Sequence, residues 1–275
     1  MFEYYDLASG EHREKLKSLL LRTLKDSGWK LKTGFVGTPL ILKVLSDVGE
    51  DRAAYKIIHN EKYPGWLYEV DLGATTIWER WNSMEEDGSV SSTGMNSFNH
   101  YAYGSVGEWM WQTIGGIAPN EEEYGFRRAT LCPIPDYKTG KCEAVYRSAA
   151  GVWKVAWEIS GNDKVRLQVS VPFNCTAELL LPYAKDMPDR LQLEPGDYEF
   201  CYTTKEPLKK GYSARNTLEE LFDDEVVVEK MEEILPGISQ IPSSMRAVRL
   251  EDLILNHSSD GETILEKVNQ MLMLL

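Results

Sequence analysis

Cysteine is scarce and scattered. Cys132, Cys142, Cys175 and Cys201 are the four in 275 residues, and no two form a CxxC pair. That excludes the common zinc-ribbon and dithiol-redox arrangements and predicts free thiols in a reducing, cytoplasmic setting. Histidine is as sparse: His12, His59, His100 and His257 make no HExxH, so neither a metal nor a cofactor is expected. Positive charge is short as well. Thirty Lys and Arg face 43 Asp and Glu, a net charge of -13 with no basic stripe, which argues against nucleic acid as a partner. No apolar run approaches the roughly 20 residues of a membrane span, and the first residues show no basic segment followed by an apolar one. A membrane partner and a secretory leader are therefore not expected. Nucleophilic catalysis lacks its G-x-S-x-G elbow. "GFVGTP", residues 34–39, lacks the P-loop lysine and the spacing of a dinucleotide loop, and reads as a turn into a helix.

What is present divides the chain into three sections. Hydrophobic residues make up 43%, enough for a packed core. Residues 1–118 read as helical hairpins. Leu16, Leu19, Leu20 and Leu24 share one helical face, Gly28 stops that helix, and two short helices follow with a break near Gly49. Residues 82–98 interrupt with a long polar loop, of a kind that is usually functional or disordered. Its acidic triplet, Glu85, Glu86 and Asp87, reads as a solvated face. Residues 119–205 alternate with period two. Trp153, Val155, Trp157 and Ile159 oppose Val152, Lys154, Ala156 and Glu158, with turn chemistry at "SGND" and "EPGDY", which predicts an antiparallel β-sandwich. Residues 206–275 return to helix. Thr217 and Glu220 fit a capping box, Pro236-Gly237 makes a stop, and Ile264, Val268, Met271, Leu272 and Leu275 form a terminal stripe expected to pack on the body of the protein. No internal sequence repeat is evident.

One stretch concentrates the chemistry: "GATTIWERW", residues 73–81, sets Glu79 between Trp78 and Trp81. Thr76 and Glu79 fit a capping box, which predicts a helix starting at Thr76, with Glu79 in its first turn and both tryptophans on one face. The surrounding residues 63–111 are rich in Trp and Tyr, with Glu, His and Asn among them. A sugar offers an apolar ring face and a rim of hydroxyls, which such side chains stack against and hydrogen-bond.

The segments "TGFVGTPLILKVLSDVGEDRAAYKII", "YPGWLYEVDLGATTIWERWNSM" and "MNSFNHYAYGSVGEWMWQTIGGI" resemble, in order and spacing, the C-terminal half of the catalytic domain of bacterial α-L-rhamnosidases, the inverting glycoside hydrolase family 78. "VPFNCTAELLLP" and "LEPGDYEF" resemble that family's C-terminal β-sandwich. The resemblance covers about residues 5–203. It implies a multi-domain α and β fold: a partial (α/α)6 toroid with about half its helices, an antiparallel β-sandwich and a helical tail. It also implies a rhamnose-containing glycoside as ligand, with Glu79 as the general base, His100 as a rhamnose contact, Trp66 and Trp81 as pocket or supporting aromatics, and Trp78 as core.

The general acid of that family lies upstream of every segment matched here, and none of Glu61, Glu69 or Glu108 takes the role by motif. The expectation is therefore a portion that carries the base, lacks the acid and is inactive alone. Its partner would be the missing N-terminal half or a second copy in a homo-oligomer, drawn by apolar faces left open. The alternative is a noncatalytic carbohydrate-binding or scaffold protein in which Glu79 is only a cap.

Overall fold

The structure, a computed structural model, describes residues 9–92, 94–120, 123, 125–209, 211–258 and 260–274. The chain forms two compact units, Met1–Leu208 and Lys209–Leu275.

The first unit opens with helices α1 (Glu11–Asp26), α2 (Thr38–Asp47), α3 (Asp51–Ile58) and α4 (Trp66–Asp71). Glycine stops three of them in the same way. At the end of α4, Gly73 N–H bonds Val70 O and Ala74 N–H bonds Glu69 O, both at 2.9 Å, with Gly73 at φ 86°. This is the left-handed Schellman stop that only glycine adopts without strain. Gly28 and Gly49 end α1 and α2 with the same pair of bonds. After an irregular stretch, one turn of 3-10 helix (Ala102–Ser105), α5 (Val106–Trp109) and a π turn (Met110–Ile114) run on continuously.

No helix begins at Thr76, which corrects the capping-box expectation. Residues 76–79 lie beside 97–100 instead. Glu79 N–H bonds Ser97 O at 2.9 Å, and His100 N–H bonds Ile77 O at 2.8 Å. The Thr76 hydroxyl donates to Phe98 O rather than accepting from a helix turn. The pattern S/T-x-x-E is met in sequence, but a partner segment far along the chain takes up these groups first.

Eight strands follow: β1 (Ile117–Pro119), β2 (Arg128–Leu131), β3 (Lys141–Ser148), β4 (Gly151–Ser160), β5 (Lys164–Val171), β6 (Thr176–Leu180), β7 (Arg190–Leu193) and β8 (Gly196–Thr203). They make two four-stranded sheets, ordered β1-β2-β6-β7 and β3-β4-β5-β8. The pairing is antiparallel except between β2 and β6, which run parallel with Arg128 opposite Thr176. Trp153, Val155 and Trp157 point inward and are buried, as their period predicts.

Helices and sheets share one apolar core that takes in Leu45, Ile57, Trp66, Trp109, Leu131, Trp153 and Leu167. Buried and half-buried polar ties join the two parts. Trp157 Nε1 donates to Ile114 O at 2.7 Å, Tyr55 Oη to Ile134 O at 2.5 Å, and Tyr183 Oη to Asp51 Oδ2 at 2.6 Å. Such bonds satisfy groups whose burial would otherwise be costly.

The second unit has its own core, which includes Leu218, Leu221, Val227, Met231, Leu250, Ile254, Val268 and Leu272. Its helices are α6 (Leu218–Leu221), α7 (Glu225–Ile234), α8 (Leu250–His257) and α9 (Gly261–Leu274). Thr217 caps α6 in a complete capping box with Glu220, as the sequence predicts, and Gly237 takes a left-handed conformation after α7. The terminal stripe packs inside this unit's core through Val268 and Leu272; Leu275 lies outside the described residues.

Two segments of this unit pair in antiparallel fashion about Thr217 and Arg249. Leu218 N–H bonds Val248 O and Leu250 N–H bonds Asn216 O; Glu219 N–H bonds Arg246 O and Glu251 N–H bonds Ala214 O. The two segments exchange donor and acceptor roles, as antiparallel pairing requires. "LEEL" forms α6 and "LEDL" opens α8 directly after the paired residues.

Candidate active site

Several stretches of the first unit converge on a shallow cleft of about 300 Å³. The turn at Gly34–Gly37, closed by Gly37 N–H to Gly34 O at 3.1 Å, delivers Phe35 and leads straight into α2. The approach to α4 supplies Tyr63, which precedes a cis Pro64. The segment after Gly73 supplies Glu79, Arg80, Trp81 and Asn82, and the 3-10 turn supplies Tyr103.

The rings are tightly organised. Trp81 and Tyr103 stack with centroids 4.0 Å apart and planes 9° apart. Trp66 meets Trp81 edge-on at 5.2 Å and donates its Nε1–H to Tyr103 O at 3.0 Å. Trp66 thus stands behind Trp81 and does not line the cleft. Trp78 is 2% exposed and packs edge-on against Phe98, turned away from the cleft. The two tryptophans of "GATTIWERW" serve opposite sides, one as wall and one as core.

Glu79 is held from the side. Its Oε2 accepts Ser97 N–H at 2.9 Å, while its own N–H goes to Ser97 O. Oε1 has no hydrogen-bond partner among the described residues, and the residue lines the cleft. Ser97 is in turn placed by the long polar loop. Asn96 Nδ2 donates to Ser83 O at 3.2 Å and to Ser91 O at 3.1 Å, and Arg80 Nε donates to Met95 O at 3.2 Å. Within the loop Met84 pairs with Val90, so the acidic triplet sits in the tip of a small hairpin. Loop 82–98 is a brace for the glutamate.

His100 does not line the cleft but stacks on Phe35, which does, at 5.0 Å. Tyr101, 88% exposed, stacks on His100 at 5.2 Å. Of the four residues singled out from sequence, Glu79 and Trp81 meet in the cleft, and Trp66 and His100 each sit one ring behind it. Phe35 and Ser97 carried no chemical signal of their own. Phe35 lay in a segment read as a bare turn, and Ser97 acts through its backbone.

Another carboxyl lies beneath the site. Glu69 is 2% exposed; its Oε2 receives a long contact from Trp78 N–H at 3.5 Å, and its Oε1 has no partner. Burial pushes its pKa up to about 8, against a small opposing pull from the Trp78 amide. Burial also raises the Tyr103 phenol, with Glu69 adding to it. The other acids weighed in the sequence lie elsewhere. Glu61 is 4.0 Å from Lys138, and Glu108 accepts from Gln112 on the same helical run. Among the described residues no cluster of three His, Cys, Asp or Glu could hold a metal ion, and no helix is long and apolar enough to cross a membrane.

Residues 4–114 match the family model of the bacterial alpha-L-rhamnosidase 6 hairpin glycosidase domain, and residues 116–190 match that of the bacterial alpha-L-rhamnosidase C-terminal domain. Residues 4–190 belong to the bacterial α-L-rhamnosidase family. An alpha-L-rhamnosidase of Formosa agariphila is 43% identical over 178 residues, which are 65% of this chain and 19% of that protein. The crystal structure of an Aspergillus terreus α-L-rhamnosidase aligns with a TM-score of 0.69 and 34% identity, over 73% of this chain and 23% of that one. The Streptomyces avermitilis α-L-rhamnosidase, solved in complex with L-rhamnose, aligns with a TM-score of 0.62 and 35% identity, over 74% and 20%. The chain thus spans about a fifth of the length of the rhamnosidases it matches.

Proposed function

We propose that this chain supplies the general-base side of an inverting α-L-rhamnosidase active site. Glu79 is the base: it takes a proton from a water placed on the face of the sugar opposite the leaving group. The observation that carries this reading is the Glu79 carboxylate itself. One oxygen is tied to Ser97 N–H, the other is unengaged among the described residues, and the residue lines a cleft walled by Trp81 and Tyr103. A tethered carboxylate with one unengaged oxygen is oriented before the substrate arrives, which is what general-base catalysis requires. The stacked rings offer an apolar wall for a sugar ring, Trp66 supports them, and His100 contacts the rhamnose at the edge of the site.

Inversion needs a second carboxyl group about 6.5–9.5 Å from the base, to leave room for the water. Among the described residues that line the cleft, Glu79 is the only carboxylate. The acid then comes from polypeptide outside these 275 residues, on the same chain or on a partner, and this chain does not turn over substrate by itself. Exposed Val36, Tyr63, Met95 and Tyr101, in and around the cleft, suit a surface that another part of such an enzyme covers.

Hydrolysis of an aryl α-L-rhamnoside tests this. The isolated chain should show none, and robust turnover would refute the missing acid. In a complete enzyme bearing this segment, Glu79→Gln should lower kcat by about a thousandfold or more while leaving the fold intact. Near-normal turnover would refute the base. The absence of a second carboxylate in the cleft also suits a noncatalytic sugar-binding protein. Rhamnose binding that is unchanged by Glu79→Ala would favour that alternative.

A further inference from the structure

The backbone that carries Glu79 is bonded on two edges. On one edge, Glu79 N–H bonds Ser97 O and His100 N–H bonds Ile77 O. In a chain paired this way, alternate residues turn their amides to opposite edges. Trp78 N–H therefore faces away from residues 97–100, and Trp78 is buried. A buried amide needs an acceptor. Among the described residues this one has a single acceptor, Glu69 Oε2 at 3.5 Å.

Glu69 also holds the near end of the same connection, because its backbone carbonyl accepts Ala74 N–H at 2.9 Å. One residue thus closes both ends of the span 74–78, and the next residue is Glu79. The Glu69 carboxyl is itself buried, with Oε1 left without a partner. Burial keeps it in the acid form. A neutral acid accepts more weakly than a carboxylate, which fits the length of the contact. Tyr103 is the titratable group beside it, and Tyr63 and Arg80 act on Tyr103 in turn.

We propose that Glu69 is a positioning residue for the base: its side chain fixes the Trp78 amide and so the backbone that presents Glu79 at the cleft. Glu69 does not line the cleft and acts through Trp78. The assignment deepens the reading of Glu79 as the base and rests on it.

Nuclear magnetic resonance of the full chain tests the contact. The Trp78 amide proton should shift as Glu69 loses its proton, with a midpoint near pH 8 in the parent, and should hold still in Glu69→Gln. A Trp78 amide that stays in place in the parent, or moves equally in the variant, overturns the proposal. Amide exchange at neutral pH tests the positioning. The reporter is Ser97 N–H, which Glu79 Oε2 holds. In Glu69→Gln, whose carbonyl still accepts, its rate should stay within about threefold of the parent. In Glu69→Leu, which cannot accept, it should rise about tenfold or more, the size of one lost hydrogen bond, while the amides of β4 and β5 keep their rates. An unchanged Ser97 rate in Glu69→Leu, or equal acceleration across β4 and β5, overturns the positioning role. If Glu69→Leu does not fold, the Trp78 titration decides. Titration with L-rhamnose separates this role from the reading beneath it. Affinity should hold in Glu69→Gln and fall about tenfold or more in Glu69→Leu, and equal affinity in all three proteins overturns the proposal. If the amides respond as expected and the parent binds no rhamnose, the reading of the cleft as a sugar site falls and the brace stands.

Discussion

Glu69 shows how much a single side chain can impose on the site. Its carboxyl is buried, and its pKa stands near 8 rather than in the ordinary glutamate range. Raising the pH from 4.5 strips the proton from the unfolded chain first, while the folded chain keeps it up to about 8. The folded state therefore loses stability across that interval, by up to about 1.4 kcal/mol per pH unit, and the loss levels off above it. Glu69→Gln keeps the shape and cannot ionise. Urea midpoints followed by tryptophan fluorescence from pH 5 to 9 should fall with pH in the parent and stay flatter in the variant; parallel slopes would contradict a neutral Glu69. Nothing in "YEVDLGATT" marks Glu69 as different from its acidic neighbours. Its neutrality follows from burial, which the sequence does not print. Glu79 was legible through its motif, but the group that holds it, Ser97 N–H, was not, because a backbone amide has no sequence signature.

At the scale of elements, the loop 82–98 is the part whose role was hardest to read. Its polarity and length set it apart as a loop, and the structure gives it the work of bracing Glu79. Asn96 fastens it through two carbonyl groups, Ser83 O and Ser91 O. Asn96→Ala leaves both without that donor, at a cost of about 1–3 kcal/mol. Hydrogen exchange at the Ser97 and Ser91 amides should quicken while the amides of β4 and β5 are unaffected. Unchanged exchange at Ser97 would show that the loop holds the glutamate without Asn96. Two capping-box patterns make an instructive pair. "TLEE" at Thr217 forms the full box, since helix α6 is free to start there. "TIWE" at Thr76 does not, since residues 97–100 compete for the same groups.

Over the whole molecule, the two units carry separate cores. All eight tryptophans precede residue 158, so their fluorescence reports the first unit alone, while far-ultraviolet dichroism also reports the helices of the second. Thr217→Ala removes a cap worth about 1 kcal/mol and should lower the midpoint of the second unit's transition in dichroism, leaving the fluorescence transition where it was. Movement of both together would show that the units unfold as one.

The sequence by itself determined the elements whose signals are local: the glycine helix stops, the period-two strands of the sandwich, the cap at Thr217, and the ordered segments that place residues 4–190 in the α-L-rhamnosidase family. Local signals suffice there because backbone geometry and alternation act over a few residues. Only the tertiary structure decided that Thr76 starts no helix, that Phe35 and Tyr103 join Trp81 in the wall, and that Glu69 is neutral. Each of those depends on which distant segment reaches a group first, and on how much water remains around it once the chain has closed.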